Sequence, residues 1–194
     1  GAEIETAQSG DVITLLTNQT PFYGESGGQM GDAGQLSGDN GFKAIVTDTR
    51  KPLGRLHAHQ IEIKSGSLAI GERVHLVVDI GRRTALRANH SATHLLHKAL
   101  RHHLGDHVTQ KGSLVAPDRL RFDFSHPTAL TDAEIIAVEA DVNAQIRGNS
   151  PVNTRLMSPD DAVAAGALAP FGSKDGCEGR GLALGGGGGV GFFV

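Results

Sequence analysis

The hydrophobic pattern of the chain changes near residue 80, and this change limits the folds that the chain can adopt. Before it, apolar or β-branched residues occur in four short runs, separated by turn signals such as Ser37-Gly38-Asp39-Asn40-Gly41. The runs cover residues 12–16, 42–46, 56–63 and 74–78. Short strands joined by tight turns favour a small barrel or a curled antiparallel sheet. We therefore predict a β-rich, barrel-like subdomain over residues 1–80.

Helical spacing replaces the strand pattern after this point. From Gly81 to about His103, leucine and alanine recur every three or four residues, and Gly105 is placed to end the helix. Strand-like segments follow at residues 107–110 and 120–124, and in the second of these the apolar residues share one face. The combination predicts a hairpin that packs with the helix.

A second helix is predicted by a capping box. Thr131 precedes Glu134 by three residues, and an apolar stripe follows as far as Gly148. Ser158, which is followed by proline, has the features of a residue that caps a short third helix. Helices that pack on an antiparallel sheet are therefore expected over residues 81–171, and the chain as a whole is predicted to be α+β.

The sequence becomes glycine-rich near its end. Residues 172–194 include an unbroken glycine run at 185–189, which offers few side chains for a core, and we predict an atypical tail here. Cys177 is the only cysteine, so no internal disulfide can form. The chain also lacks a run of about 18 apolar residues that could cross a membrane. A cytoplasmic protein without membrane contact is the expectation.

The net charge argues against a surface covered in positive charge for nucleic acid. The chain has 18 lysines and arginines against 21 acidic residues, a net charge of −3 with neutral histidines. Any contact with nucleic acid would therefore be local. Basic residues do cluster, but such clusters are solvated faces more often than binding sites. The clusters are Arg82, Arg83 and Arg87, and Lys111, Arg119 and Arg121.

Two histidines lie four residues apart on the first predicted helix. This spacing would aim His90 and His94 at one point, which suits a divalent metal such as zinc. Two ligands are half a metal site, and the glutamate of the zinc-protease pattern His-Glu-x-x-His is absent. Because the chain has ten histidines, some pairs fall four apart by chance. The spacing alone leaves both interpretations open.

A glycine-rich loop over residues 20–34 is the second candidate. Glycines let a backbone bend tightly and approach a ligand, and Gln29 can donate and accept hydrogen bonds at once. The tripeptide Gly27-Gly28-Gln29 also occurs in peptide-release factors, where it meets an ester bond of tRNA. A plain tight turn between strands is the alternative.

The predicted hairpin is the third candidate. It carries lysine and arginine beside hydroxyl and amide groups, a combination that can hold the phosphates near the end of a tRNA. An ordinary solvated hairpin would have the same composition.

In this order and at these separations, the three stretches resemble the editing domain of alanyl-tRNA synthetases and the free-standing proteins that deacylate mischarged tRNA. The matching segments are residues 20–34, 87–96, 110–113 and 121–124, and the similarity continues to about residue 171. The resemblance implies a two-part α+β fold of the threonyl/alanyl-tRNA synthetase editing type. In that fold, a small β-rich subdomain precedes helices packed on an antiparallel sheet.

The resemblance implies hydrolysis of the ester bond in tRNA(Ala) that wrongly carries serine or glycine. Its implied partners are the acceptor end of tRNA(Ala) and the rest of the synthetase chain. Gln29 is then the candidate for orienting the aminoacyl group or water, and the backbone amides near Gly28 are candidates for binding the oxyanion. Thr20 is the candidate for recognising the serine hydroxyl, which alanine lacks. The candidates for binding the tRNA end are Lys111, Ser113 and Arg121.

The resemblance also implies a bound Zn²⁺. In the family, the two helix histidines, here His90 and His94, are joined by a cysteine and a histidine from a later Cys-x-x-x-His segment. This sequence has no such segment. Cys177 is a candidate third ligand, but no histidine follows it, so the site is incomplete. The alternative is a truncated tRNA-binding fragment of the synthetase that lacks a complete catalytic site.

Overall fold

The computed structural model of the protein describes residues 2–157, 179–184 and 190–193. Its helices are α1 (Ile80–Leu104) and α2 (Asp132–Gly148). Its strands are β1 (Thr6–Gln8), β2 (Val12–Leu16), β3 (Gly34–Ser37), β4 (Lys43–Arg50), β5 (Ala58–Ser65), β6 (Ser67–Ala69), β7 (His75–Val78), β8 (Gln110–Val115), β9 (Leu120–Phe124), β10 (Val152–Met157), β11 (Gly179–Leu184) and β12 (Val190–Phe193). The predicted α+β class is confirmed. Among the described helices, none combines the length and the apolar character that a membrane span requires.

The chain divides into two compact units. Unit 1 contains Gly1–His90 and Ser113–Leu120, and unit 2 contains Ser91–Gly112 and Arg121–Val194. Helix α1 and strands β8 and β9 therefore contribute residues to both units. The boundaries predicted after residues 80 and 171 stay predictions.

Unit 1 is built on a five-stranded antiparallel sheet. The strand order is β2-β5-β4-β3-β7, and β1 pairs with β6 in a separate two-stranded sheet. In β4, Ala44 and Val46 are buried whereas Lys43 and Ile45 are exposed, the alternation expected of a strand with one face on a core. The buried core residues of the unit are Ala7, Phe22, Leu36, Phe42, Ala44, Val46, Ile61, Ile63 and Leu68. Strands occupy all four predicted runs, and β4 continues to Arg50.

Local capping sets both ends of α1. At the start, the Asp79 carboxylate accepts a hydrogen bond from the backbone N–H of Arg82 at 2.9 Å. At the end, Gly105 has φ +114°, and its N–H donates to the Arg101 carbonyl at 2.9 Å. The predicted helix end at Gly105 is confirmed.

Strand β8 begins later than the sequence predicts. The N–H of Val108 donates to the Gly105 carbonyl at 3.2 Å, which closes a turn directly after α1. The predicted strand at residues 107–110 is therefore wrong in its bounds, because the chain leaves this turn before the strand starts at Gln110.

The predicted capping box begins α2. The Thr131 hydroxyl accepts from the N–H of Glu134 at 3.3 Å, and the Glu134 carboxylate accepts from the N–H of Thr131 at 2.8 Å. Asn149, with φ +43°, ends the helix. Helices α1 and α2 share the core of unit 2 with β9. The residues of this core are Leu96, Ala99, Leu100, Leu104, Val108, Phe122, Phe124, Leu130, Val138 and Val142.

A three-stranded antiparallel sheet is formed by β10, β11 and β12. Strands β11 and β12 lie in the stretch predicted to form a glycine-rich tail, and β12 contains Val190, Phe192 and Phe193, residue types that favour strands. The third helix predicted to begin at Ser158 lies outside the described residues.

An ion pair within unit 1 joins the loop of residues 20–34 to the first turn of α1. Asp32 is 1% exposed, and its carboxylate accepts from the Tyr23 N–H at 2.6 Å and from Arg83 Nε at 3.1 Å. Arg83 Nη2 also donates to the Pro21 carbonyl at 2.7 Å. The Arg83 guanidinium therefore binds the beginning of the loop at Pro21 and its end at Asp32.

Replacing Arg83 with alanine is expected to lower the free energy of unfolding by about 3 kcal/mol, because the Asp32 carboxylate stays buried without its cation. Arg87→Ala is the matched control, since Arg87 is an exposed arginine one turn further along α1. Its substitution should change the free energy of unfolding by less than about 0.5 kcal/mol. Urea unfolding followed by circular dichroism measures the free energy of unfolding of both variants. Equal losses of stability in the two variants would contradict the importance of the buried Asp32–Arg83 pair.

Candidate functional site

The glycine-rich loop is fixed against strand β4. Thr49 Oγ1 in β4 donates to the Asp32 carbonyl at 2.9 Å, and a Cβ atom on Gly31 would lie 1.9 Å from the Thr49 carbonyl oxygen. The backbone can approach β4 this closely only because residue 31 has no side chain. The loop is therefore built into unit 1, and the residues at its tip have a fixed support.

The tip of the loop is a tight turn from Ser26 to Gln29. Two backbone hydrogen bonds close it, from Ser26 N–H to the Gln29 carbonyl (3.2 Å) and from Gln29 N–H to the Ser26 carbonyl (3.0 Å). Gly27 and Gly28 have φ of +58° and +84°, the positive values that a type I′ turn requires at both central residues. The N–H groups of the two glycines take no part in the closing bonds.

Residues at the end of β8 pack against this turn. The Met30 N–H donates to the Val115 carbonyl at 3.0 Å, and the Val115 N–H donates to the Gly28 carbonyl at 2.8 Å. A Cβ atom on Gly28 would lie 2.5 Å from Ser113 Oγ. The structure therefore brings together Gly28 and Ser113, which were predicted from separate stretches of sequence.

The side chain of Gln29 contacts His90 on α1. Gln29 Oε1 lies 2.6 Å from His90 Nδ1. Because a carbonyl oxygen can only accept, Nδ1 carries the proton and Nε2 of the neutral ring carries the lone pair. Burial lowers the pKa of His90, which keeps the ring neutral at pH 7.

This geometry fits a metal ligand. Histidines that bind a metal through one nitrogen usually donate the other N–H to an oxygen acceptor, as His90 does to Gln29. His94 follows four residues later in the same helix and is 8% exposed. Cys177, the third predicted ligand, lies outside the described residues.

Thr20 belongs to a different hydrogen-bond network. Its Oγ1 lies 2.8 Å from His59 Nε2 and accepts from the Phe22 N–H at 3.1 Å. His59 Nδ1 lies 3.0 Å from the Leu15 carbonyl, so Nδ1 carries the ring proton and Nε2 accepts from the Thr20 hydroxyl. Burial also lowers the pKa of His59, which is fully buried. The Thr20 hydroxyl therefore donates its hydrogen to His59.

His59 cannot be identified as a site residue from the sequence pattern. The residue occupies an inward position of β5, where the strand pattern alone predicts a core side chain. Its partner Thr20 is 39 residues away in the chain, so no local signal connects the two.

The predicted basic residues of the hairpin are exposed. Arg121 pairs with Asp123 of the same strand, with Nε 3.1 Å from both carboxylate oxygens, and Lys111 lies on β8. Both belong to unit 2, whereas Ser113 belongs to unit 1. Of the predicted Arg82–Arg83–Arg87 cluster, Arg83 binds Asp32 and Arg82 Nη2 donates to the Gly31 carbonyl at 3.3 Å.

A further group of metal-type ligands, not singled out from the sequence, lies in unit 2. Ligand atoms of His102, His103 and Asp141 all lie within 4.8 Å of one another. The hydrogen bond from His102 lowers the pKa of Asp141. The two histidines are adjacent in sequence, but Asp141 comes from α2, so only the packing of the helices identifies the group.

The chain is similar to known proteins of one kind. Residues 1–82 match the family model described as tRNA synthetases class II (A). Over 95% of its length the chain is 68% identical to an alanine–tRNA ligase of Sphingopyxis alaskensis, 63% identical to one of Rhizorhabdus wittichii and 58% identical to one of Granulibacter bethesdensis. It spans 21% of the length of each of these curated relatives. Over nearly its whole length, the chain is therefore similar to one segment of alanine–tRNA ligases.

Proposed function

We propose that this chain is the editing part of an alanyl-tRNA synthetase, with the fold of the threonyl/alanyl-tRNA synthetase editing type, and that it hydrolyses tRNA(Ala) esterified with serine or glycine. The observation that carries the proposal is the hydrogen bond between Gln29 and His90 beside the Gly27–Gly28 turn. The alanine–tRNA ligases to which the chain is similar support the tRNA assignment. The chain would act in the cytoplasm, joined to the rest of the synthetase.

The reaction adds water to the ester carbonyl and releases the ribose hydroxyl of the tRNA. The oxygen of the Gln29 side chain is used by His90, which leaves the NH₂ group to donate to the substrate carbonyl or to the attacking water. The N–H groups of Gly27 and Gly28 are the proposed donors to the oxyanion that develops. Since a type I′ turn fixes the backbone, these donors need little reorganisation during the reaction.

The proposed ligands of a zinc ion are His90 and His94, with Cys177 as a candidate third. When bound, Zn²⁺ would supply a Lewis acid that polarises water or binds the substrate amine. Gln29 holds the His90 ring in the tautomer that such a ligand needs. Gln29 would therefore act on both the substrate and the metal.

Thr20 is proposed to recognise serine with its side-chain oxygen, which would accept a hydrogen bond from the substrate. Its hydroxyl hydrogen goes to His59, so a serine substrate would donate its own hydroxyl to Thr20 Oγ1. Alanine has no hydroxyl and cannot make this bond. Glycine also lacks the hydroxyl, so Thr20 would not separate glycine from alanine.

Phosphates near the tRNA end are proposed to bind Lys111, Ser113 and Arg121. Ser113 is the best supported of these, because it packs on the turn that carries Gly28. A second candidate function is tRNA binding without hydrolysis, for which the exposed Lys111 and Arg121 of the hairpin would suffice.

Gln29→Ala is expected to lower kcat/KM for release of labelled serine from Ser-tRNA(Ala) by about 100-fold or more, because the reaction loses a donor to its developing charge. Gln29→Glu should be equally slow, since its carboxylate keeps the acceptor for His90 and lacks the NH₂ donor. Gln35→Ala is the matched control, because Gln35 is exposed on β3.

Recovery of the rate in Gln29→Glu would mean that Gln29 only positions His90. A wild-type chain that binds tRNA(Ala) without releasing serine would instead support the second candidate, an inactive binding fragment.

Thr20→Val is expected to lower kcat/KM for Ser-tRNA(Ala) by roughly tenfold, the effect of one lost hydrogen bond. Gly-tRNA(Ala) should be hydrolysed at the wild-type rate, because glycine makes no bond to the hydroxyl. Deacylation of both substrates by one preparation separates lost recognition from lost folding. Equal losses on the two substrates would argue against a role for Thr20 in recognising serine.

A further inference from the structure

The end of helix α1 and the middle of helix α2 present two imidazoles and a carboxylate to one another. His102 Nδ1 lies 3.1 Å from Asp141 Oδ2, and His103 Nε2 lies 3.4 Å from the same oxygen. The ligand nitrogens of His102 and His103 lie within 4.8 Å of each other. Each of the three side chains can therefore reach a common point without a change in the backbone.

We propose that His102, His103 and Asp141 form a binding site for a divalent transition metal of the zinc type, separate from His90 and His94. Metal–ligand bonds of about 2.0–2.2 Å in tetrahedral geometry place neighbouring ligand atoms about 3.3–3.6 Å apart. The two separations from Asp141 Oδ2 are close to this value. Binding would require mainly that the two imidazole nitrogens approach each other.

The ligand set selects the class of metal. Two imidazoles with one carboxylate suit zinc, cobalt or nickel, whereas calcium and magnesium prefer oxygen ligands alone. The His102 side chain is 68% exposed, so water can reach the ion and complete its coordination. Three protein ligands with an exposed side chain make this a site that exchanges its metal with solvent.

The helices that carry the ligands are held by the core of unit 2. Leu100 and Leu104 on α1 and Val138 and Val142 on α2 belong to one cluster, and they flank the ligands in sequence. Ligands on packed helices need less ordering than ligands on loops. A bound ion would join α1 to α2 and stabilise unit 2, because it binds the folded state and not the unfolded chain. At a free metal concentration about 100 times Kd, the folding equilibrium would shift about 100-fold.

Cobalt(II) binding by the 194-residue chain tests the proposal. The parent variant carries His90→Ala, His94→Ala and Cys177→Ser, which removes the ligands proposed for the editing site. One equivalent of Co²⁺ should still bind, with the visible spectrum of nitrogen and oxygen ligands. Adding His103→Ala or Asp141→Asn should weaken binding by tenfold or more.

His75→Ala is the matched control for these substitutions. His75 is exposed and lies 3.1 Å from Asp39 in unit 1. Among the described residues, this pair belongs to no group of three potential metal ligands. Its removal should leave Co²⁺ affinity unchanged. A parent that binds no Co²⁺, or an Asp141→Asn variant that binds as tightly as the parent, would overturn the proposal.

A second measurement covers the case in which the parent variant does not fold. In the otherwise unaltered chain, His103→Ala should reduce the Co²⁺ stoichiometry by one equivalent, and an unchanged stoichiometry would overturn the proposal. Serine release from Ser-tRNA(Ala) should be unaffected by His103→Ala. Failure of the metal site would therefore be distinguishable from failure of the proposed hydrolysis.

Discussion

The contact between Asp32 and Arg83 is the interaction on which the candidate site depends. A carboxylate that is almost fully buried requires a cation, and α1 supplies it from its first turn. The same guanidinium holds the Pro21 carbonyl, so the loop of residues 20–34 is closed at its base. The turn at Gly27 and Gly28 is positioned because this base is fixed.

Local signals account for the parts of the fold that could be predicted. Gly105 ends α1 and Thr131 begins α2 because each acts on hydrogen bonds within a few residues of itself. The short strands β3 and β6 give no such signal. They exist because partner strands are available in space, β4 and β7 for the first and β1 for the second.

The candidate site could be predicted as a set of residues but not as a set of contacts. Gln29 and His90 were both named from the sequence, yet the bond that joins them spans 61 residues. The tautomer of His90 follows from that bond alone. His59 was missed for the same reason, since its role comes from Thr20 and from the Leu15 carbonyl across the sheet.

The two central glycines of the turn are constrained in different ways. At Gly27, a Cβ atom would meet nothing within 4 Å, so only the positive φ opposes a side chain, and asparagine adopts that conformation readily in type I′ turns. At Gly28, a Cβ atom would collide with both the side chain and the backbone of Ser113. Position 27 is therefore open to variation in related chains, whereas position 28 can change only if β8 moves away. An alignment of such chains should accordingly vary at the first glycine while the second remains fixed.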